Sequence, residues 1–303
     1  MQSPTAAIDL GTNTSRLLIG NVDAAQTITP LLYLRRITRL GGGFTKEKGI
    51  SVEAGERTMA ALREFASEID RHNVVRTGAV ATSAVRDAVN GKEFRDLILK
   101  ECGINLDIID GETEGRLTLQ GVLAGIDEKS SNFLVFDVGG GSTEYTIAQG
   151  EQVLFTESLP LGVVRLTEGK SNSAAMAEKI SREILAFHAK LAKNGLLRYL
   201  ENTTLVGTAG TATTLAAISM KMTEYDYRQV NNYVIGLEEI KDIFATLLSL
   251  SPEQRLTVAG LEKGREDLII AGIFITLKTM ELFGFEKLKV SDFGLLEGVF
   301  LRV

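Results

Sequence analysis

The sequence predicts an α/β protein built from two similar halves, and three observations lead there. Short apolar runs alternate with helix-period patterns along the whole chain. A strand–turn–strand signature recurs 128 residues apart, once from Ile8 and once from Phe136. Glycine is abundant, 30 residues against 4 prolines in a chain of 303, as expected where backbone turns sharply or approaches a ligand closely.

The elements follow in order. Ala6 to Gly11 reads as a strand entering a turn, and Arg16 to Gly20 as its return. Ser51 opens a helix with Leu62, Phe65, Ala66 and Ile69 at helical spacing, ending near His72-Asn73. A strand from Val74 to Val80 runs into a loop or helix start at Ala81–Asp87. A short strand, Asn105 to Ile109, precedes a helix from about Glu112. The polar stretch Ile126 to Asn132 is the expected domain junction, giving domains of residues 1–125 and 126–303. Beyond it come a hairpin from Phe133 to Ala148, a helix through Met176, Ile180, Ile184, Phe187 and Leu191, and a strand at Thr204–Val206. That strand enters the glycine turn Gly207-Thr208-Ala209-Gly210 and another helix. Helices at Leu237–Leu250 and Glu262–Phe283, a strand at Leu288–Val290 and a terminal helix complete the chain.

Both copies of the repeat read as an apolar strand, Asp-x-Gly, a small hydroxyl-rich turn and a second strand: Ile8-Asp9-Leu10-Gly11-Thr12-Asn13-Thr14-Ser15 and Phe136-Asp137-Val138-Gly139-Gly140-Gly141-Ser142-Thr143. A strand-end aspartate can hold a hydrated divalent cation, glycine lets backbone N–H groups approach a phosphate, and Thr, Asn and Ser add neutral donors. Either hairpin alone reads as an ordinary structural turn. The pair in matched strand contexts favours two phosphate-facing loops.

Composition narrows the function. A net charge of −6 argues against a nucleic-acid binder. One cysteine, Cys102, fits a reducing cytoplasm. The N-terminus shows no secretory pattern, and the longest uncharged apolar run, Leu268 to Leu277, is too short to span a bilayer. The two histidines, His72 and His188, lie on amphipathic helices, which disfavours a multi-histidine metal centre or a phosphohistidine route. There is no Gly-x-x-x-x-Gly-Lys-Ser/Thr motif, and no arginine follows Cys102 at the spacing of a cysteine phosphatase. Gly41-Gly42-Gly43 reads as a flexible loop.

Ala7–Ile19 (AIDLGTNTSRLLI), Gly111–Val122 (GETEGRLTLQGV) and Phe136–Ile147 (FDVGGGSTEYTI) resemble three signature segments of the exopolyphosphatase and guanosine-pentaphosphate phosphohydrolase family. Ala81–Arg86, Leu159–Glu168, Val206–Leu215 and Val290–Gly298 match further segments in the same order. The resemblance implies two actin-like, ribonuclease H-like domains with substrate in an interdomain cleft. It implies phosphate contacts from Gly11, Thr12, Asn13 and Thr14, from Gly139, Gly140, Gly141, Ser142 and Thr143, and from Arg86. It implies Glu114 as base toward the attacking water, and Asp137 and Glu144 as holders of a divalent cation, with Glu144 also counted among the catalytic groups. Gly207 and Gly210 match a segment corresponding to the adenosine motif of related kinases. The chain lacks a His-Asp pair and resembles the short, two-domain form.

Phosphoanhydride hydrolysis needs positioning, charge neutralisation and an aimed water. The expected cofactor is Mg2+, on Asp137 and Glu144, with Asp9 a weaker ligand. Acidic residues favour a helix start for structural reasons, so Glu112 competes with Glu114 on sequence grounds. Arg86 at a helix start would be explained by a bound anion. Arg165 is balanced between a site residue and a helix-face ion pair, while Asp292 and Glu297 read as a hairpin end and a helix start. The expected activity is release of terminal phosphate from inorganic polyphosphate, then from guanosine pentaphosphate. A kinase of the same fold and a non-catalytic nucleotide-responsive scaffold are the alternatives from other classes. The terminal helices offer apolar faces suited to a homodimer.

Overall fold

The computed structural model describes residues 3–45, 47–127, 132–169 and 173–303. The chain divides into two compact units, Met1–Ala124 with Gly294–Val303, and Gly125–Phe293. The division expected from sequence puts the terminal helix in the second domain; its packing assigns it to the first unit. Of the expected polar junction, residues 128–131 lie outside the described residues.

In the first unit the order is β1 (Thr5–Leu10), β2 (Thr14–Val22), β3 (Ile28–Ile37), α1 (Val52–Arg71), β4 (Arg76–Ala81), α2 (Ser83–Arg86), α3 (Gly91–Cys102), β5 (Asp107–Ile108) and α4 (Gly111–Gly125). Its sheet has the order β3-β2-β1-β4-β5. β1, β2 and β3 form an antiparallel meander, and β4 and β5 add in parallel. The α1 helix starts where the sequence places it, with the Ser51 hydroxyl accepting from the Ala54 amide.

The second unit carries β6 (Asn132–Val138), β7 (Thr143–Gln149), β8 (Gln152–Leu159), α5 (Val163–Gly169), α6 (Ser173–Lys193), a 3-10 turn at Leu197–Leu200, β9 (Thr204–Thr208) and α7 (Ala209–Ser219). It continues through α8 (Tyr227–Val230), β10 (Val234–Gly236), α9 (Leu237–Ser249), α10 (Pro252–Arg255), α11 (Ile269–Phe283) and β11 (Lys287–Val290). The sheet order is β10-β11-β9-β6-β7-β8. Here too the first three strands form an antiparallel meander, and the next strand, β9, pairs in parallel with the first. The repeat seen in the sequence is therefore a repeat of topology. The two-sheet α/β reading stands. The sequence reading passes over β3, β8 and α3, and it starts α11 too early, because Gly264 turns the chain at φ +88° before that helix begins.

Burial fixes which side chains face which way. Along β1, Ala6, Ile8 and Leu10 enter a core with Met59, Leu62 and Phe65 of α1 and Phe94 and Ile98 of α3. The alternate residue Ala7 enters a second core on the opposite face, with Leu18, Val80 and Leu117 of α4. The helix α12 (Leu295–Arg302) closes that face with Leu295, Leu296, Val299 and Phe300. It lies against the α4 backbone: a Cβ at Gly298 would sit 1.8 Å from the Leu117 carbonyl oxygen. In the second unit, Leu134, Phe136 and Val138 of β6 and Tyr145 and Ile147 of β7 share a core with α6, α7, α9 and α11.

Because Phe300 is fully buried in the small core under α12, Phe300→Ala is expected to cost about 3–5 kcal/mol. Hydrogen exchange should accelerate in β1, β2 and β4 while β6, β7 and β9 keep their protection. Equal losses in both sheets would contradict the assignment of α12 to the first unit.

Candidate active site

The hairpins place their aspartates by strand alternation. Asp9 lies on the α12 side of β1, since it alternates with Ile8 and Leu10, and it is buried. Its cross-strand partner is Arg16, whose Nε donates to Asp9 Oδ2 at 2.9 Å. Burial opposes the Arg16 charge, but attraction from Asp9, then Tyr33 and Glu297, outweighs it and raises the guanidinium above its ordinary pKa. Asp9 Oδ1 is buried with no hydrogen-bond partner.

In the second unit the same register has the opposite chemistry. Asp137 pairs across the strands with Glu144, so two carboxylates, 7% and 2% exposed, stand as cross-strand neighbours. Ser158 Oγ donates to Glu144 Oε1 at 2.7 Å. Two adjacent carboxylates supply the hard oxygen donors that a divalent cation prefers, whereas Asp9 is already paired with Arg16. Among the described residues there is no cluster of three or more His, Cys, Asp or Glu able to hold a metal.

The turn after β1 is closed by the Gly11 amide donating to the Thr14 carbonyl at 3.0 Å. The Thr12 and Ser83 hydroxyls share a buried hydrogen bond of 2.9 Å, tying the turn to α2. Asn13 Nδ2 donates to Thr14 Oγ1 at 3.4 Å. In the second unit the Gly139 amide closes the equivalent turn onto the Ser142 carbonyl at 3.0 Å, Gly140 and Gly141 lie at its tip, and Thr143 Oγ1 donates to the Leu161 carbonyl.

Arg86, expected at a helix start, is the last residue of the four-residue helix α2. Its Nη1 donates to Glu114 Oε2 at 3.2 Å and to the Ile109 carbonyl at 3.1 Å. The anion that accounts for an arginine at this position thus includes a protein carboxylate. The structure also separates Glu114 from Glu112. Glu114 is 6% exposed in the first turns of α4, whereas Glu112 pairs with Arg116 on the solvent face. The Asp110 carboxylate caps that helix by accepting from the Thr113 amide at 2.8 Å, and this hydrogen bond holds its carboxyl below the ordinary carboxylate pKa.

The glycine turn expected in the second unit is not a separate element, because β9 runs directly into α7. Gly207 belongs to β9 and is a core position, where a Cβ would meet Ala212, Leu288 and Phe136 at 3.1–3.2 Å. Ala209, at a left-handed φ of 60°, and Gly210 are the first two residues of α7. Gly210 lies directly against the Arg265 guanidinium, which also pairs with Glu262. Asp292 accepts from the Tyr225 hydroxyl, and Glu297 caps α12 by accepting from the Gly294 amide at 2.8 Å, in line with their structural reading.

Sequence reasoning missed Arg16, Ser83 and Arg265. Only Arg16 carried a signal, because hairpin pairing places it opposite Asp9. The segment Gly41–Gly43, read as a flexible loop, begins at a buried glycine whose amide donates to the Thr12 carbonyl at 2.9 Å.

A duplicated α/β fold with a buried acid, an arginine and two hydroxyl- and glycine-rich hairpins is a phosphatase architecture by comparison with known proteins. Residues 18–303 match the pattern of the Ppx/GppA phosphatase family, and the chain belongs to that family. Exopolyphosphatase 2 of Mycobacterium tuberculosis is 32% identical over 317 residues, which cover 98% of both chains. The bifunctional 3-dehydroquinate synthase/phosphatase of Fusobacterium nucleatum is 31% identical over 309 residues; these are 98% of this chain but 46% of that protein, so the chain spans about half of it. The solved structure of the Aquifex aeolicus PPX-GPPA enzyme is 34% identical, with a TM-score of 0.80 and 99% of each chain covered. Among the described residues, no helix is long and apolar enough to cross a membrane.

Asp110→Ala is expected to destabilise the first unit by about 1 kcal/mol at neutral pH, measured by urea unfolding. Since folding lowers the Asp110 pKa, the difference should be full above about pH 4 and vanish as pH falls through the lower folded-state value. A difference that grows on acidification would rule out this capping role.

Proposed function

We propose that the protein releases terminal orthophosphate from inorganic polyphosphate by attack of a water molecule that Glu114 activates. The observation that carries this reading is the buried Glu114 carboxylate, held 3.2 Å from Arg86 at the start of α4. The likeness to a mycobacterial exopolyphosphatase over 98% of both chains supports it. In the reaction the water oxygen forms a bond to the terminal phosphorus, and its proton passes to a Glu114 oxygen. The bridging P–O bond breaks, and the shortened chain leaves with that oxygen. Arg86 binds phosphate charge while keeping Glu114 in place. The amides and hydroxyls of Gly11–Thr14 and Gly139–Thr143 bind phosphate oxygens. Gly210, beside Arg265, is a further phosphate contact in this reading, and Gly207 supports it from the core.

Asp137 and Glu144 would hold a divalent cation, Mg2+ by the hardness of carboxylate ligands. When bound there, such an ion would supply positive charge to offset that of the phosphate oxygens. Asp9, already compensated by Arg16, contributes one further oxygen at most. The same chemistry would serve the terminal phosphate of guanosine pentaphosphate, the alternative substrate. The acidic net charge and the free, partly buried Cys102 suit an enzyme of the reducing cytoplasm without nucleic-acid partners.

Phosphate release from polyphosphate and from guanosine pentaphosphate, measured in parallel with Mg2+, decides the substrate; preference for the nucleotide by more than about tenfold would make guanosine pentaphosphate the first substrate. Glu114→Gln should lower kcat by about 10²- to 10⁴-fold with little change in KM. Near-normal turnover in that variant would remove Glu114 from the chemistry. Asp137→Asn should raise the Mg2+ concentration for half-maximal activity by about ten- to a hundredfold. An unchanged Mg2+ requirement would place the ion elsewhere.

A further inference from the structure

A trans peptide is planar, so its carbonyl and the following amide point in opposite directions. No cis peptide is present among the described residues. What the carbonyls of a turn bond to therefore decides where its amides aim. In the first unit, the Thr12 carbonyl accepts from the Gly41 amide at 2.9 Å, and the Asn13 carbonyl accepts from Thr38 and Arg39 at 3.0 and 2.9 Å. In the second, the Gly139 carbonyl accepts from Val163 at 3.0 Å, and the Gly140 carbonyl accepts from Val164 and Arg165 at 3.0 and 3.4 Å. The amides opposite these carbonyls include those of Asn13, Gly140 and Gly141, and none of these three donates to a protein acceptor among the described residues.

The donors come from the same topological place in each unit, the segment that follows the third strand of the meander. After β3 it is residues 38–41; after β8 it is the turn into α5. Each segment is itself anchored. Arg57 of α1 donates through Nε to the Thr38 carbonyl at 3.1 Å and through Nη2 to the Arg39 carbonyl at 3.5 Å. Thr38 and Ser15 share a hydroxyl contact of 3.1 Å, and Arg39 takes a left-handed φ of 45° that accompanies its bond to Asn13. In the second unit, the first amides of α5, which have no acceptor within the helix, find theirs in the hairpin. Both contacts are too close for a side chain: a Cβ at Gly41 would sit 2.2 Å from Thr12 Cγ2, and one at Gly162 would sit 2.2 Å from the Gly141 carbonyl carbon.

We propose that these two segments are positioning straps that draw the hairpin carbonyls back and thereby turn the Asn13, Gly140 and Gly141 amides toward phosphate, with Gly41, Arg57 and Gly162 as positioning residues. This rests on the reading of the hairpins as phosphate-binding loops. The test is a cycle of wild type, Gly41→Ala, Thr12→Ser and the double variant. Binding of inorganic tripolyphosphate is followed by calorimetry, and phosphate release by KM and kcat. Thr12→Ser removes the methyl that the new Cβ would strike and keeps the hydroxyl bonded to Ser83. Gly41→Ala should weaken tripolyphosphate binding and raise KM by about tenfold, with kcat less affected. The double variant should return to about the level of Thr12→Ser alone.

Unchanged binding in Gly41→Ala, or no recovery in the double variant, overturns the proposal. If Gly41→Ala does not fold, Arg57→Ala carries the same test, with weaker tripolyphosphate binding expected and wild-type binding overturning the proposal. A wild type that binds tripolyphosphate without releasing phosphate refutes the hydrolytic reading alone, and the binding data still decide on the straps. A wild type that binds no tripolyphosphate overturns both.

Discussion

The constraint on which the structure turns is that the leading strand of each sheet is buried along almost its whole length. β1 gives Ala6, Ile8 and Leu10 to one core and Ala7 to another, so a carboxylate at Asp9 has little water to compensate it. The first unit answers with Arg16 on the neighbouring strand. The second unit puts Glu144 in the equivalent register opposite Asp137, an acid where the first unit has a base. One fold, used twice, thus carries an acid–arginine pair in one hairpin and an acid–acid pair in the other.

The same burial explains the position of Glu114. Its helix follows the short strand β5, and Asp110 caps it at the surface while Glu114 points inward to Arg86. Arg86 in turn is fixed by the Ile109 carbonyl, so the acid and its cation are both held by backbone that the sheet positions. An acid held in this way keeps its geometry without depending on a mobile surface side chain.

Much of this was legible in the sequence where side-chain pattern encodes it. The two hairpins stood out because an apolar run ending in Asp-x-Gly is distinctive, and α1 because its stripe and its Ser51 cap agree. Glu114 was not separable from Glu112 by pattern, since both suit a helix start; burial separates them. β3 was hidden because it is an edge strand that leaves Leu31 and Tyr33 exposed, and α3 because Leu97 and Leu99 break its apolar face. The expected turn at Gly207–Gly210 proved to be the end of β9 and the start of α7, because glycine serves core packing and close backbone approach as well as turns. The contacts of residues 38–41 with the first hairpin left little side-chain signal, being made mostly by main-chain groups, with one hydroxyl contact between Thr38 and Ser15.

The terminal helix was legible as a helix, but an apolar stripe says that a helix packs and not on which sheet. Its place has a consequence for biosynthesis. While a ribosome extends the chain, one face of the first sheet is covered only by α4 through the whole translation of the second unit, since the rest of its cover is residues 294–303. The second unit can bury its core from contiguous sequence, whereas the first must wait for a partner nearly three hundred residues downstream of its leading strand. The nascent first unit is therefore the part of this protein that exposes apolar surface longest.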